Sequence, residues 1–402
     1  MAGRLIAIAG GGIAGLACAA LLARSGDRVV VCDRMSTPEP VGSGLILQPV
    51  GLAVLDAIGV AERMRALGAP IKRLFGRTMP SNRVVLDVRY RALGGGAGEG
   101  LAVHRGALFE ALLDAAREAG AQMEGGRDIV GAGDGRLAFA DGTSSPRFDL
   151  VIDALGVKSP LSRPAPLPPL PFGALWCNVD WPSGPEATPF DPNALEQRYE
   201  AARKMVGVLP VGNVRTGAPR QAAFFWSLRH ADLAAWRAAP LDAWRQQALL
   251  LWPQAAPFIN QVVDREQLIF AAYCHGTRAS PASPGMAHVG DSWHSASPQL
   301  GQGANMALLD ALGLARALEA NRDISRALDA YSRSRRGHIR LYQLASWMFT
   351  PAYQSDGRAI ALVRDWLMAP FSRVWPMPKI LAALVAGSIG SPLSAIEATR
   401  DG

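Results

Sequence analysis

With 402 residues, 49% of them apolar, the chain is too long for one small core and hydrophobic enough for two packed domains, which excludes a disordered or fibrous protein. Its formal charge is +7, yet the only lysines are Lys72, Lys158, Lys204 and Lys379, so the positive charge is mainly arginine scattered along the chain. No basic block is interleaved with aromatics, which argues against a nucleic-acid partner and leaves a mild preference for anionic ligands.

Leu5–Ala9 is a short apolar run suited to a fully buried parallel strand, residues 13–25 carry alanine and leucine at helical density, and Arg28–Cys32 reads as strand again. This is a βαβ unit. The apolar run from Leu5 to Leu22 behind Arg4 has the outline of an export leader, but Gly10, Gly11, Gly12 and Gly15 would break such a helix and suit a strand, turn and helix. Cys18, Cys32, Cys177 and Cys274 are widely spaced with no CxxC pair, so they are expected to be reduced core residues of a cytoplasmic protein, with no metal site.

Residues 52–67 have helical spacing, as do residues 104–119, which Gly120 is placed to stop; Gly94, Gly95, Gly96, Gly98 and Gly100 make a flexible loop between them. Residues 136–140 and 149–154 are expected strands, the first followed by the turn Asp141-Gly142. The proline-rich segment 164–171 marks a change of domain. Between 175 and 270 the pattern shifts to short alternating runs, 205–211 and 222–229, with Trp226, Trp236, Trp244 and Trp252, which predicts an antiparallel sheet with helices beside it. Residues 287–289 return to a buried strand and Gly303–Ala320 to a long helix. The last sixty residues read as helical, and the apolar stretch 376–396 is too interrupted by Pro378, Lys379, Gly387 and Gly390 to span a bilayer.

Gly10-Gly11-Gly12-Ile13-Ala14-Gly15 has the GxGxxG spacing directly between strand and helix. The first glycine permits the turn, the second lets the backbone approach a pyrophosphate, and the third lets the helix pack on the strand. Amides at the helix N-terminus then face phosphate charge. Asp33 ends the second strand 18 residues past Gly15, where a carboxylate accepts both ribose hydroxyls. Strand, turn, helix, strand and acid in register predict dinucleotide binding.

A second constellation runs from Gly290-Asp291-Ser292-Trp293-His294 through Pro298-Gln299-Leu300-Gly301-Gln302-Gly303-Ala304-Asn305. Together with the first motif and Asp33-Arg34, it resembles the FAD-dependent aromatic-ring hydroxylases of the para-hydroxybenzoate hydroxylase type, and the resemblance follows the whole chain in order. It implies that Asp291 binds the ribityl chain and that amides near Leu300 and Gly301 meet the flavin N1 and C2 oxygen, where a helix N-terminus stabilises the charge of reduced flavin. It further implies that Arg105, after His104, contacts the ribityl-phosphate region, that Gly42, Ser43, Gly44, Gln48 and Pro49 pass along the ribityl and ring, and that Ile129 offers adenine a backbone contact. Pro298 should border the face that reacts with oxygen. No consensus catalytic base carries over. Aromatic or polar groups between Trp176 and Trp226 are candidates to line the substrate pocket. His294 reads as a structural hydrogen-bonding group, and Asp291, Ser292 and His294 stand too close in sequence for a hydrolase triad.

The match fails in one place. The family has an Asp-Gly pair followed by serine and arginine, associated with flavin and NADPH binding; here Gly156 and Ser159 are kept, but Leu155 stands for the aspartate and Ser162 for the arginine, with Arg163 one place late. Asp153 would substitute only if the strand ended differently, because a two-residue shift moves the group by about 7 Å. The resemblance therefore implies FAD but weakens the case for NADPH.

The expected fold is α/β: a Rossmann-like FAD-binding domain (1–72, 98–172 and 277–340), an inserted antiparallel-sheet substrate domain (73–97 and 173–276) and a helical C-terminal segment (341–402). The implied activity is a monooxygenase that hydroxylates an aromatic or polyketide-like small molecule through a flavin C4a-hydroperoxide. Two alternatives stay open: an FAD-dependent oxidase or dehydrogenase, or a hydroxylase fed by a flavin reductase; and a non-catalytic flavin-binding scaffold. Peripheral membrane contact through the apolar C-terminal helices is open too, and the oligomeric state is not legible.

Overall fold

The computed structural model describes residues 3–37, 42–94, 98–162, 167–183 and 189–398. Gly95 and Gly96 of the expected glycine loop, Arg163 and the start of the proline-rich segment lie outside them.

Six strands form one sheet in the order Ala282–Ser283, Met286–His288, Leu150–Asp153, Leu5–Ala9, Arg28–Cys32, Gln122–Glu124, parallel except at the Ala282–Ser283 edge. Its central strands are apolar but for Asp153 and Arg28 at their ends because both faces are covered. Helix Ile13–Arg24 is buried almost all round. It packs in one cluster with helices Arg105–Glu118 and Gly303–Ala320, and its run of alanine, glycine and cysteine lets those neighbours approach closely. Burial pushes the Cys32 thiol up to about 12 and that of Cys18 higher still.

The expected helix over 52–67 is two helices, Pro49–Ile58 and Ala61–Leu67. Gly59 separates them at φ +88, its N–H bonded back to the carbonyls of Leu55 and Asp56, a left-handed cap that ends the first helix despite continuous apolar spacing. A three-stranded sheet of Gly44–Leu47, Gly100–His104 and Ala69–Ile71, not anticipated from the sequence, bridges to the second large sheet.

That sheet has seven strands in the order Ile269–Ala271, Phe172–Asp180, Arg220–Arg229, Lys204–Asn213, Ala194–Glu200, Arg73–Thr78, Val84–Arg89. All neighbours are antiparallel except Ala194–Glu200 with Arg73–Thr78. Strand alternation splits its faces. Leu175, Cys177, Phe224 and Trp226 pack with Trp244, Trp252 and Phe258 on one side. Trp176, Leu209, Val211 and Ala223 pack on the other, with Ile46 and Ala102 of the bridging sheet and Val385 and Ala386 of the C-terminal helices.

Candidate active site

Gly10 leaves the first strand at φ +105, and a Cβ there would lie 2.6 Å from the carbonyl oxygen of Ala154. A Cβ on Gly15 would stand 1.9 Å from the carbonyl oxygen of Gly10, so helix and turn meet at a distance only glycine allows. Gly12 differs: nothing lies within 4 Å of its Cβ position, and no protein atom demands a glycine there. The open space adjoins the N-terminus of helix Ile13–Arg24, which has neither a side-chain cap nor an acid in its first turn. Ile13 and Ala14 open that helix with amides that have no intrahelical partner, and an anionic group fits such a terminus.

Asp33 closes the far side. Its carboxylate accepts from the amides of Gly11 at 2.7 Å and Met35 at 2.9 Å, and each oxygen retains a lone pair for a ribose hydroxyl. The Arg127 amide donates to the Asp33 carbonyl at 2.8 Å, which brings the segment leading to Ile129 alongside; Ile129 is buried in a cluster with Cys32. Arg34 is exposed next to Asp33.

The second turn reaches the first through Gly290, where a Cβ would stand 3.3 Å from the Cβ of Ala14 and 3.2 Å from that of Ala307. Two segments nearly three hundred positions apart therefore touch. Asp291 follows, exposed. Burial on its inner side lowers the Arg105 guanidinium pKa and Asp291 opposes that shift. The Arg105 side chain also fills the space beside Gly42, 2.9 Å from its Cβ position, and the Arg105 amide donates to the Ser43 carbonyl at 2.9 Å. Gly42, Arg105 and Asp291 thus come together from three regions of sequence.

Pro298, half-buried, opens a short turn to Leu300, and Gly301 and Gly303 are exposed at the uncapped start of helix Gly303–Ala320. Ala304 is half-buried, and Asn305 is fully buried. The Asn305 carboxamide accepts from the Gln48 amide at 2.7 Å and donates to the carbonyls of Ile46 and Gly301 at 3.0 Å each. Tyr90 donates to Gln48 Oε1 at 2.5 Å, whereas Gln48 Nε2 is buried without a partner, 4.0 Å from the Cβ position of Gly301. An orphaned buried donor costs about 1–3 kcal/mol. An acceptor on a flavin ring held at this turn would satisfy it, so the residues present fit the cofactor. Gly44 has a packing reason instead: a Cβ there would meet Val211 at 2.3 Å and Ala223 at 3.1 Å.

Beneath the turn lies a chain of buried charge. Asp310, fully buried, accepts from the Gly290 amide at 2.9 Å, pairs with His294 Nε2 at 2.5 Å, and receives Arg335 Nε at 2.9 Å. Burial alone would push its carboxyl up; His294 and Arg335 hold it below the ordinary carboxylate range. His294 is thus a structural partner. Ser292 Oγ lies 2.7 Å from the Asp153 carbonyl, and with Asp291 outside both contacts no hydrolytic triad forms.

Arg335 Nη1 donates to His338 Nδ1 at 3.1 Å, and His338 Nε2 donates to the Gly387 carbonyl at 3.0 Å. The imidazole is therefore neutral, and burial together with the Arg335 charge lowers its pKa to about 4. Between about pH 6.5 and pH 4 the unfolded chain takes up a proton here and the folded chain does not. The stability is whole above pH 6.5 and falls towards pH 4 at up to about 1.4 kcal/mol per pH unit. His338→Gln is expected to flatten the pH dependence of Tm across that window; an unchanged slope in thermal melts would count against this role.

At the altered third segment, strand Leu150–Asp153 ends with Asp153 turned inward and fully buried. Its carboxylate accepts from Ser159 Oγ at 2.7 Å and pairs with His288 Nδ1 at 2.9 Å, so it does not stand in for the aspartate replaced by Leu155. Leu155 itself packs against the cluster of Cys32 and Phe139.

Trp176 lies on the face of the seven-stranded sheet that packs on the bridging sheet, 4.6 Å from the Phe225 ring, and its indole N–H donates to Tyr273 at 2.8 Å. Trp226 does not share that face: one residue further along its strand, it is buried with Trp244 on the opposite side. Gly276 and Thr277 pair with Ser295 and His294, which ties the segment after Tyr273 to the turn that leads to Pro298. Burial raises the Tyr273 phenol to about 12, so it stays protonated at neutral pH. His104, Asn178 and Ser43 join bridging strand to sheet. His104 Nδ1 accepts the Gly106 amide at 3.1 Å, its Nε2 lies 2.8 Å from Asn178 Nδ2, and Ser43 donates to Asn178 Oδ1. Nothing in the spacing of these three residues signals the contact.

A family model described as FAD binding domain matches residues 5–146. The chain is 27% identical to 6-methylpretetramide 4-monooxygenase of Streptomyces rimosus, over 95% of this chain and 92% of that one. It is 28% identical to 2-heptyl-3-hydroxy-4(1H)-quinolone synthase of Pseudomonas aeruginosa, over 85% of this chain and 88% of that one. In fold it superposes on 2-methyl-3-hydroxypyridine-5-carboxylic acid oxygenase with a TM-score of 0.77 at 21% identity, covering 98% of each chain. With its two glycine turns in contact and relatives of this kind along its whole length, the chain carries an FAD-binding domain, is similar to the FAD-dependent aromatic-ring hydroxylases, and is a flavoprotein monooxygenase.

Proposed function

We propose that this monooxygenase inserts one oxygen atom of O2 into an aromatic or polyketide-like small molecule held between the flavin turn and the inward face of the seven-stranded sheet. The observation that carries the reading is the contact of the Gly290 turn with Ala14, tied to the sheet that carries Trp176 and Phe225 by the Trp176–Tyr273 hydrogen bond and the pairing of Gly276 with Ser295. On this reading segments 1–72, 98–172 and 277–340 hold the cofactor, and 73–97 with 173–276 form the roof. Gly10 to Gly15 would hold the pyrophosphate and Asp33, Arg34 and Ile129 the adenosine. Arg105 and Asp291 would hold the ribityl chain, and Pro298 to Asn305 would border the ring. Bound and reduced, FAD supplies the activation of oxygen. The chain's own part is to hold the ring at the uncapped start of helix Gly303–Ala320 and to keep water out. Tyr273, protonated, would donate a hydrogen bond at the roof. The named relatives are by their titles a 6-methylpretetramide 4-monooxygenase and a 2-heptyl-3-hydroxy-4(1H)-quinolone synthase, which supports a ring-system substrate of that kind.

A second reading rests on Leu155. An apolar side chain where the family carries an aspartate favours delivery of electrons by a reductase or by the substrate over direct NADPH use. Stopped-flow reduction of the holoenzyme by NADPH, with and without candidate ring compounds, separates the two. The hydroxylation itself is tested with isotopically heavy O2: a product carrying one heavy oxygen supports it. Stoichiometric hydrogen peroxide without product across phenols, quinolones and tetracyclic ketones would move the chain to an oxidase or a flavin-binding scaffold.

A further inference from the structure

Helix Ile324–Tyr353 carries two stripes that run into one another along one face. Arg333, Arg336 and Arg340 are exposed, and one to two turns later so are Leu344, Trp347 and Met348. Spacings of three and four residues put all six on the same side. The apolar stripe continues beyond the helix. Leu362, Val363, Trp366, Leu367, Phe371, Val374 and Trp375 recur at helical spacing through the next short helices, with Trp375 84% exposed and Trp366 and Leu367 65% each. Together these side chains expose on the order of a thousand Å² of apolar surface, against roughly 300–600 Å² for the largest patch of an ordinary monomer.

Charge narrows the choice of what covers it. The acids between 341 and 386 are Asp356 and Asp365 alone, and both are engaged: Asp356 with Arg203 at 3.1 Å and Arg229 at 3.3 Å, Asp365 with buried Arg364 at 2.7 Å. Arg373 and Lys379 add positive charge at the edge, and Arg83 stacks 3.6 Å over the Trp366 ring. A second copy docked on this face would set a single further exposed acid per chain, Asp329, against Arg333, Arg336, Arg340, Arg373 and Lys379, so like charges would outnumber matched ones. A surface of anionic headgroups over hydrocarbon is complementary to both stripes: arginine for phosphate, tryptophan at the boundary, leucine and phenylalanine below it.

We propose that this C-terminal face seats the enzyme on an anionic lipid bilayer as a peripheral protein. The other side of the same helix meets the turn at Pro298, where Gln343 donates to the Ser295 carbonyl at 3.1 Å and Ser346 contacts Ser297.

The test uses the full-length holoenzyme in flotation with vesicles of phosphatidylcholine alone or mixed with phosphatidylglycerol. Wild type is expected to float with the mixed vesicles and to partition at least about tenfold less onto phosphatidylcholine alone or at high salt, since each interfacial arginine contributes about fivefold. Arg336→Glu/Arg340→Glu and Trp347→Glu/Leu367→Glu should each lower partitioning by about tenfold or more with an unchanged flavin spectrum. Equal binding to both vesicle types, or none to either, overturns the proposal. So does a dimer in sedimentation equilibrium that Trp347→Glu/Leu367→Glu converts to monomer.

Discussion

Gly12→Val is expected to yield a folded apoprotein that has lost at least about 100-fold in FAD affinity. The contrast with Gly15 makes the result diagnostic. Nothing in the protein lies within 4 Å of a Cβ at position 12, so a Cβ there displaces no protein atom and the apoprotein Tm should fall less than in Gly15→Ala. The larger side chain does occupy the space before the uncapped N-terminus of helix Ile13–Arg24. Charge-assisted hydrogen bonds to amides there contribute about 1.5–3 kcal/mol each, and losing two accounts for the factor. Gly15→Ala acts through the fold instead. Its Cβ would be 1.9 Å from a backbone oxygen, so helix and turn must separate, and Tm should fall even without cofactor. Flavin-fluorescence titration of the two apoproteins beside their melting curves distinguishes these cases. Full FAD affinity in Gly12→Val would remove the first turn from the cofactor site.

Asp310→Asn should cost about 3–5 kcal/mol of stability, because it leaves the guanidinium of Arg335, 0% exposed, without its counter-charge. A drop in Tm of about 5 °C or more is the expected reading. Asp310 also holds the Gly290 amide, one residue before Asp291, so weaker FAD binding should accompany the loss of stability. The carboxylate has a depressed pKa through His294 and Arg335. Its stabilising effect is present above the ordinary carboxylate value and is lost in acid as the pH falls through the folded value. Arg335→Met in the Asp310→Asn background removes the orphaned charge and should recover part of the loss; a purely additive double variant would show that the two side chains do not act as a pair.

Much of this molecule is local in sequence. A parallel strand covered on both faces must be apolar along its length, a glycine turn between strand and helix has its own spacing, and an acid ending the next strand lies in register with it. Leu5–Ala9, Gly10 to Gly15 and Asp33 are legible for those reasons; the Gly290 to Asn305 segment and the Leu155 departure are legible through the family resemblance. Periodicity misled where one residue decides: Gly59 cuts an apolar repeat that alone predicts a single helix. Alternation predicts a sheet between 175 and 270 but is silent on which face meets the other domain, which is why Trp176 and Trp226 looked equivalent and are not. The partners of Asp310, the inward turn of Asp153 and the His104–Asn178 contact join positions from 16 to 135 residues apart. Burying a charge or an amide requires a partner wherever the fold can supply one, and only the packed chain chooses which.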